Sequence, residues 1–215
     1  MTLANPLGLA DFVDLFSVDD ITFVQGWQQQ RSATGGGETR YADRAPALWK
    51  AEITTGPLDN AESEGVMALI NSRAGGLKTV LLYNHKLPYP ASDPTGAVIG
   101  AASPLLGTIT DRLHVAFTGL PNNFVVPRGT YFSILFDTSR YYLGQFAEPK
   151  VASGAGAVSA VEIWPPLPAS ISGNPAVVMA KPPGKFRITP GSAYPSKVNG
   201  VLSTIKFAAE QTYSA

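Results

Sequence analysis

The chain contains no cysteine, only two histidines and few charged residues. Without cysteine, disulfide frameworks and thiolate chemistry are excluded. Charged side chains make up 15% of the 215 residues, whereas globular proteins average about 25%. Sixteen basic and sixteen acidic residues cancel, so the basic excess typical of nucleic-acid binding is missing. A near-neutral surface favours association with other chains, although a low-charge secreted or viral domain would have the same composition.

Long apolar runs are also missing. No uninterrupted stretch approaches the ~20 residues that cross a bilayer. The first twenty residues have no basic segment ahead of an apolar run. We therefore expect a soluble chain with no signal peptide and no membrane insertion.

Glycine and proline are abundant, with 21 and 18 residues, and they divide the chain into short apolar runs. Short strands between such turn residues are typical of an all-β protein, either a barrel or a sandwich. In the clearest strand, residues 48–55, the apolar residues Trp49, Ala51 and Ile53 alternate with polar ones. Further strands are predicted at residues 20–27, 77–84, 111–120, 129–136, 141–149, 157–164, 176–182, 184–191 and 202–213.

One short helix is predicted at about residues 59–73. Asp59 followed by Glu62 is a capping box, and the apolar residues that follow have helical spacing. Gly75 and Gly76 end the helix, because glycine readily adopts the left-handed conformation found after helices.

Residues 28–46 are the least core-like segment, since glutamine, glycine and charged residues predominate. Loops this long in a compact domain are usually functional or disordered. We predict an exposed loop or hairpin arm that becomes ordered against a neighbouring subunit, with surface disorder as the alternative. The candidate inter-subunit residues are Arg31, Gly35, Gly36, Gly37, Glu38, Arg40, Tyr41 and Arg44.

Residues with catalytic or metal-binding chemistry are sparse. His85 and His114 have no partner at metal-ligand spacing, and no serine lies in a nucleophile elbow. The acids Glu62 and Glu64 fit the start of the helix instead. We therefore predict no catalytic, metal-binding or cofactor-binding residue and no enzymatic activity. Glycosidase carboxylates that converge from distant strands stay an open alternative.

Aromatic residues are the remaining binding candidates. Tyr131, Tyr141 and Tyr142 lie on two adjacent predicted strands, where aromatic side chains could form a sugar-binding platform. Cross-strand packing is the commoner role for such pairs. Because strand neighbours point to opposite faces, at least half of these aromatics are expected in a core.

The stretch "AVSAVEIWPPLPASI" (157–171) runs a strand into prolines. Val161 and Ile163 share one face of the strand. The prolines then prevent further pairing, because each lacks an amide donor. We interpret the stiff, extended segment after the strand as one that sets the direction of the chain and has no catalytic role.

Four stretches give the chain a resemblance to the distal tail proteins of long-tailed, siphovirus-like bacteriophages. "LWKAEITTGPLDNAESEGVMALINSRAGG" resembles the family's strand, proline-leucine turn and short helix, and "LYNHKLPYPASDPTG" its proline-rich Asp-Pro passage. "RGTYFSILFDTSRYYLGQF" and "AVSAVEIWPPLPASI" resemble the inserted barrel of tail-hub components. The resemblance extends from Trp49 to Phe186, and the order of the motifs is more specific than any one of them.

The resemblance implies a structural protein of the virion, located at the tail tip and made in the host cytoplasm. Such a protein forms a ring, usually six-fold, that connects the tail tube to the baseplate or tip hub and lets DNA pass without specific binding. It implies an inner β-domain with one helix from residues 1–90 and 183–215, and an inserted outer β-barrel subdomain from residues 91–182. No cofactor is implied. The partners are sister copies, the tube protein and hub or baseplate proteins.

Other functions stay open. The chain could be a carbohydrate-binding module or a receptor-contacting tail accessory that uses the aromatics of residues 129–146. It could also be another tail tube or terminator component, since these share the barrel-plus-helix construction. A cell-wall hydrolase would need an acid with a raised pKa in a cleft, and the sequence indicates none.

Overall fold

The structure, a computed structural model, describes residues 3–33 and 35–214. The fold is all-β in class, as predicted, because strands dominate and the helices are short. In chain order the strands are β1 (Val18–Ala33), β2 (Thr39–Thr55), β3 (Leu58–Asp59), β4 (Val80–Leu82), β5 (Leu105–Ile109), β6 (His114–Thr118), β7 (Val125–Val126), β8 (Tyr131–Phe136), β9 (Arg140–Phe146), β10 (Lys150–Val151), β11 (Val158–Trp164), β12 (Val177–Val178), β13 (Gly184–Ile188), β14 (Tyr194–Lys197) and β15 (Leu202–Gln211). The helices are α1 (Asn60–Asn71) and α2 (Ala97–Gly100), and a single 3-10 turn covers Val13–Leu15.

The first sheet contains seven strands in the order β1-β2-β15-β13-β4, with β3 and β14 also paired to β15. Its strand pairs are antiparallel, and β15 alternates buried side chains with half-buried or exposed ones, whereas the three residues of β4 are all buried. On β2, Trp49, Ala51 and Ile53 are buried, which confirms the predicted alternation. The outer edge of β4 is covered by Leu7, which makes a parallel bridge to Val80.

The second sheet is a nearly closed barrel of six strands in the order β12-β8-β9-β11-β6-β5. Its two end strands meet around Leu105, which bridges Ala176. Two backbone hydrogen bonds close the gap, with Leu106 N donating to Pro175 O at 3.0 Å and Val177 N donating to Pro104 O at 2.9 Å. Closure removes exposed strand edges, which would otherwise invite pairing with other chains.

The two sheets take their strands from the two sets of residues that the resemblance implies as separate domains. Strands of the first sheet come from residues 1–90 and 183–215, and barrel strands come from residues 91–182. The two hydrophobic cores divide in the same way, except that Tyr131 and Leu143 of the barrel pack into the core of the first sheet and Tyr213 packs against the barrel core. The division into an inner domain and an inserted subdomain stays a prediction, since shared core residues connect the two parts.

A buried hydrogen bond joins the two sheets at this contact. The indole nitrogen Nε1 of Trp49 on β2 donates to the backbone oxygen of Leu143 on β9 at 2.8 Å. The ring of Tyr131 lies 5.4 Å from the Trp49 ring and 6.4 Å from that of Phe23. The first sheet therefore covers the outward face of β8 at Tyr131, whereas Leu135 on the same face is exposed.

The predicted helix forms with its capping box. The amide of Glu62 donates to Asp59 Oδ1 at 2.7 Å, and the amide of Asp59 donates to Glu62 Oε2 at 3.1 Å. The helix ends at Asn71, two residues before the predicted end, and Gly75 and Gly76 follow with positive φ.

Short elements were missed by the sequence patterns. These are β3, β5, β7, β10, β14, the 3-10 turn and the four-residue helix α2. Asp93 is buried, and its Oδ2 accepts hydrogen bonds from the amides of Val98 and Ile99 at 2.9 and 2.8 Å. This carboxylate holds α2, which has too few residues to form from its own hydrogen bonds.

We expect Trp49→Phe to lower the free energy of unfolding by about 1–3 kcal/mol, because it removes the buried hydrogen bond between the sheets and part of the ring volume. Urea denaturation followed by circular dichroism measures the change. The same substitution at the exposed Trp27 is the matched control, with an expected change within about 0.5 kcal/mol. Equal stabilities for the two variants would contradict the assigned role of Trp49.

Candidate functional site

The predicted arm, residues 28–46, is a two-stranded hairpin made from the outer halves of β1 and β2. Strand β15 supports β2 only from Lys50 to Thr54, so the ribbon beyond Trp49 has no third strand in the described residues. Register shifts on both sides of Gln28 mark bulges where the ribbon leaves the sheet. Bulges bend and twist a strand, which allows the arm to take its own direction.

The candidate inter-subunit residues lie along this hairpin. Arg31 is paired with Tyr41, Arg40 is paired with Ser32, and the three glycines form the turn, where Gly37 has φ of +81°. Thr34 lies outside the described residues. Except for the half-buried Thr39 and Ala45, the described arm side chains are exposed on both faces. Of the two predicted forms, loop or hairpin arm, the segment is therefore a hairpin. Its contact with a neighbouring subunit stays a prediction.

Few interactions hold the arm side chains. Gln29 Nε2 donates to Asp43 Oδ1 at 2.7 Å, and Arg40 lies 3.7 Å from Glu38 as an exposed ion pair. Exposed ion pairs contribute little stability. Tyr41 is 64% exposed although it is the largest apolar side chain near the tip.

The predicted sugar-binding platform needs correction. Tyr131 and Tyr142 are buried, Tyr131 against the first sheet and Tyr142 inside the barrel, where its hydroxyl donates to Pro165 O. Buried rings cannot stack on a sugar. Only Tyr141 is partly exposed, and a single ring does not form a platform.

Two tryptophans instead form an aromatic pair, in which Trp27 is exposed and Trp164 is half-buried. The rings of Trp27, at the base of the arm, and Trp164, at the end of β11, lie 5.3 Å apart with planes tilted by 32°. The Trp164 indole N–H donates to Gln25 Oε1, which fixes the ring. The pair lies in a groove of about 580 Å³ between the arm base and the proline exit. The lining residues are Trp27, Asp43, Arg44, Ala45, Pro46, Ala47, Arg112, Trp164, Pro165, Pro166, Leu167, Pro168, Ala169 and Tyr213.

Sequence patterns did not identify this groove. Residues 20–27 are predicted as a strand and residues 157–171 as a strand that runs into prolines, with no binding role for Trp27 or Trp164. One signal was present, since a tryptophan directly before a polar arm has few apolar neighbours to cover it. The pairing of the two rings depends on how the barrel packs against the first sheet, which no local pattern encodes.

A second group of polar side chains lies where the chain crosses between the two parts. We name Asp14, Tyr83, His85 and Lys181 the crossing cluster. The Tyr83 hydroxyl and Lys181 Nζ both donate to Asp14 Oδ1, at 2.9 and 3.1 Å. The rings of Tyr83 and His85 are stacked with centroids 4.1 Å apart. Through Asp14, the cluster links the first segment of the chain to Tyr83, which directly follows β4, and to Lys181, which precedes β13.

Burial and hydrogen bonding change the pKa values in the crossing cluster. Burial lowers the pKa of His85, whose Nδ1 donates to the backbone oxygen of Tyr83 at 3.2 Å. Burial alone would raise the pKa of Asp14, but the hydrogen bonds from Tyr83 and Lys181 outweigh it, so this pKa is lowered. Burial and the Asp14 carboxylate raise the pKa of Tyr83. The neutral histidine and the ionised carboxylate are the forms that fit the fold.

Other titratable groups are dispersed. His114, the second histidine, is half-exposed on β6 with its Nδ1 2.9 Å from Asp111 Oδ2. Within residues 3–33 and 35–214, no three histidine or acidic side chains gather as a metal site would require. Among the described helices, none has the length and apolar composition needed to cross a membrane.

We expect the stability of the protein to fall as the pH decreases below about 6.5, the ordinary pKa of histidine. Because folding lowers the pKa of His85, the unfolded chain binds the proton first, and stability is lost as pH falls through the folded-state value. His85→Phe keeps a ring against Tyr83 and removes this titration. Urea unfolding at pH 7.5 and pH 5.5, about one unit above and below the ordinary histidine pKa, tests the effect. The variant should lose less stability than the wild type, and equal losses would refute the assignment.

Comparisons with known proteins leave the family open. No protein-family model matches the chain, and no curated protein matches it either.

Proposed function

We propose that the protein is a structural, non-enzymatic component of a bacteriophage tail that assembles into a ring at the tail tip. This role is the one implied by the resemblance to distal tail proteins. The ring would connect the tail tube to the hub or baseplate, with six copies as in the family. The observation that carries the proposal is the two-stranded arm, which extends beyond its sheet with both faces exposed.

An unsupported ribbon of this kind needs a binding surface. A two-stranded hairpin is at best marginally stable in water without a third strand or a packed face. Here the ribbon beyond Trp49 has no third strand within the described residues, and its base packs on the barrel through the contact of Trp27 with Trp164. Farther out, the side chains of residues 40–44 are exposed, including the aromatic Tyr41. A neighbouring copy that covers the arm would supply the missing face. Such head-to-tail contacts, repeated by rotation, close into a ring.

The unpaired edge of the first sheet also favours assembly. Strand β1 pairs with β2 on one side, and no described strand pairs with its other side over residues 18–33. The opposite edge of the sheet is protected by Leu7. Exposed edge strands are templates for pairing with another chain. The balanced, low charge of the chain reduces the desolvation that such an interface requires.

The outward face of the sheet has the charge balance that a DNA channel requires. Lys50 lies 2.9 Å from Glu210, and Lys206 lies 3.6 Å from Glu52, so cations and anions on adjacent strands pair with each other. A surface without excess positive charge does not hold phosphates, and DNA could slide past it. This feature supports passage of DNA through the ring without specific binding.

We expect deletion of residues 31–44 to leave a folded monomer that does not form rings. The deletion removes only residues beyond the supported part of the sheet, so the cores should be retained. Light scattering measures the mass of the assembly, negative-stain microscopy shows whether rings with a central hole form, and circular dichroism checks the fold.

The control is Leu77→Ser, which removes a 79% exposed apolar side chain outside the arm and should leave assembly unchanged. Rings formed by the deletion variant would exclude the arm from the interface. A wild-type chain that stays monomeric at all concentrations would contradict the ring itself. Labelled protein located away from the tail tip in virions would contradict the proposed position.

A further inference from the structure

The groove between the arm base and the proline exit has the features of a ligand site. Its volume of about 580 Å³ lies within the usual range for small-molecule pockets. Its walls are the base of the hairpin and residues 164–169, which come from different parts of the fold, and Arg112 and Tyr213 complete the lining. The ring assembly proposed above does not require such a groove.

The aromatic floor is both exposed and held in position. Trp27 is 55% exposed, so a ring face is available to a ligand. Trp164 is fixed by its hydrogen bond to Gln25 and supports Trp27 from one side. Exposed, fixed indole rings bind the C–H faces of pyranose sugars, since those faces are apolar while the hydroxyl groups point outward.

The polar rim is positively charged. The Arg112 guanidinium donates to the backbone oxygens of Pro168 and Ala169, at 3.1 and 3.4 Å. Neutral carbonyl acceptors orient this guanidinium and leave its charge uncompensated. Arg44 forms no hydrogen bond or ion pair with any described residue. Asp43, the acid among the described lining residues, accepts from the neutral amide of Gln29 and keeps its negative charge, so two arginines and one aspartate leave the rim with a net positive charge. The planar guanidinium groups are suited to bidentate binding of a carboxylate or phosphate.

From these contacts we infer that the groove binds an acidic saccharide. One sugar ring stacks on Trp27, and its anionic group pairs with Arg44 and Arg112. Aromatic stacking and cationic side chains also occur in single-strand nucleic-acid sites, but those require an extended basic track. Here two arginines stand beside an acid and a run of prolines, in a chain of zero net charge. A single anionic sugar unit therefore fits the groove better than a polynucleotide.

Tryptophan fluorescence of the full chain tests the inference with matched pairs of probes. The acidic probes are sialyllactose, trigalacturonate and phosphorylated mannose, and their neutral counterparts are lactose, methyl-esterified trigalacturonate and mannose. We expect at least one acidic probe to bind saturably and more tightly than its counterpart. Trp27→Ala should weaken that binding by about tenfold or more. Arg44→Gln should remove most of the preference for the acidic member of the pair.

Tyr41→Ala is the matched control, because Tyr41 is an exposed arm aromatic outside the groove and its loss should leave affinity unchanged. Circular dichroism verifies that each variant is folded. Absence of binding to every acidic probe, or equal binding of both members of each pair, would overturn the inference. Tighter binding of an oligothymidylate would overturn it in favour of nucleic acid. Fluorescence that changes only with protein concentration would show that a second copy fills the groove.

Light scattering of the same samples separates this inference from the proposed ring. Binding of an acidic probe by a chain that stays monomeric would support the groove and contradict the ring. Rings that bind none of the probes would support the ring and contradict the ligand site in the groove.

Discussion

The contact between the barrel and the first sheet determines the remaining architecture. The Trp49 indole donates to a barrel carbonyl, and Tyr131 and Leu143 complete the core of the sheet. Because Trp49 lies on the same strand as the arm, this contact also fixes where the hairpin leaves the protein body. Trp164 can meet Gln25 only after the two sheets are joined in this way. The positions of the arm and of the groove consequently both depend on the contact between the barrel and the first sheet.

The polar side chains mostly stabilise this arrangement. The crossing cluster fastens the two passages between the parts of the chain, with Asp14 accepting hydrogen bonds from both Tyr83 and Lys181. Asp93 holds the short helix α2. These carboxylates satisfy backbone and side-chain donors in the fold, and such satisfied groups contribute specificity of structure. The surfaces for which an interaction is proposed are the arm, the edge of β1 and the aromatic groove.

Local patterns predicted those elements whose signals are contained in a few residues. The capping box of α1, the alternation on β2 and the stop of β11 at its prolines depend on neighbours in sequence. Two-residue strands such as β7 and β10 have no period to detect, and they form because distant segments lie beside them. Helix α2 likewise depends on a carboxylate outside the helix. These elements could not be predicted because tertiary contacts produce them.

The sequence by itself determined the all-β class, the position of the helix and the exposure of the polar segment 28–46. Only the tertiary structure decided which aromatic residues reach the surface. Alternation assigns one face of a strand to the core and the other to water, but the first sheet covers the outward face of β8 at Tyr131. Tyr131 is buried for that reason, while Trp27 and Trp164 meet at the junction. Which face is covered depends on how whole sheets pack, and that packing is set by contacts between residues far apart in the chain.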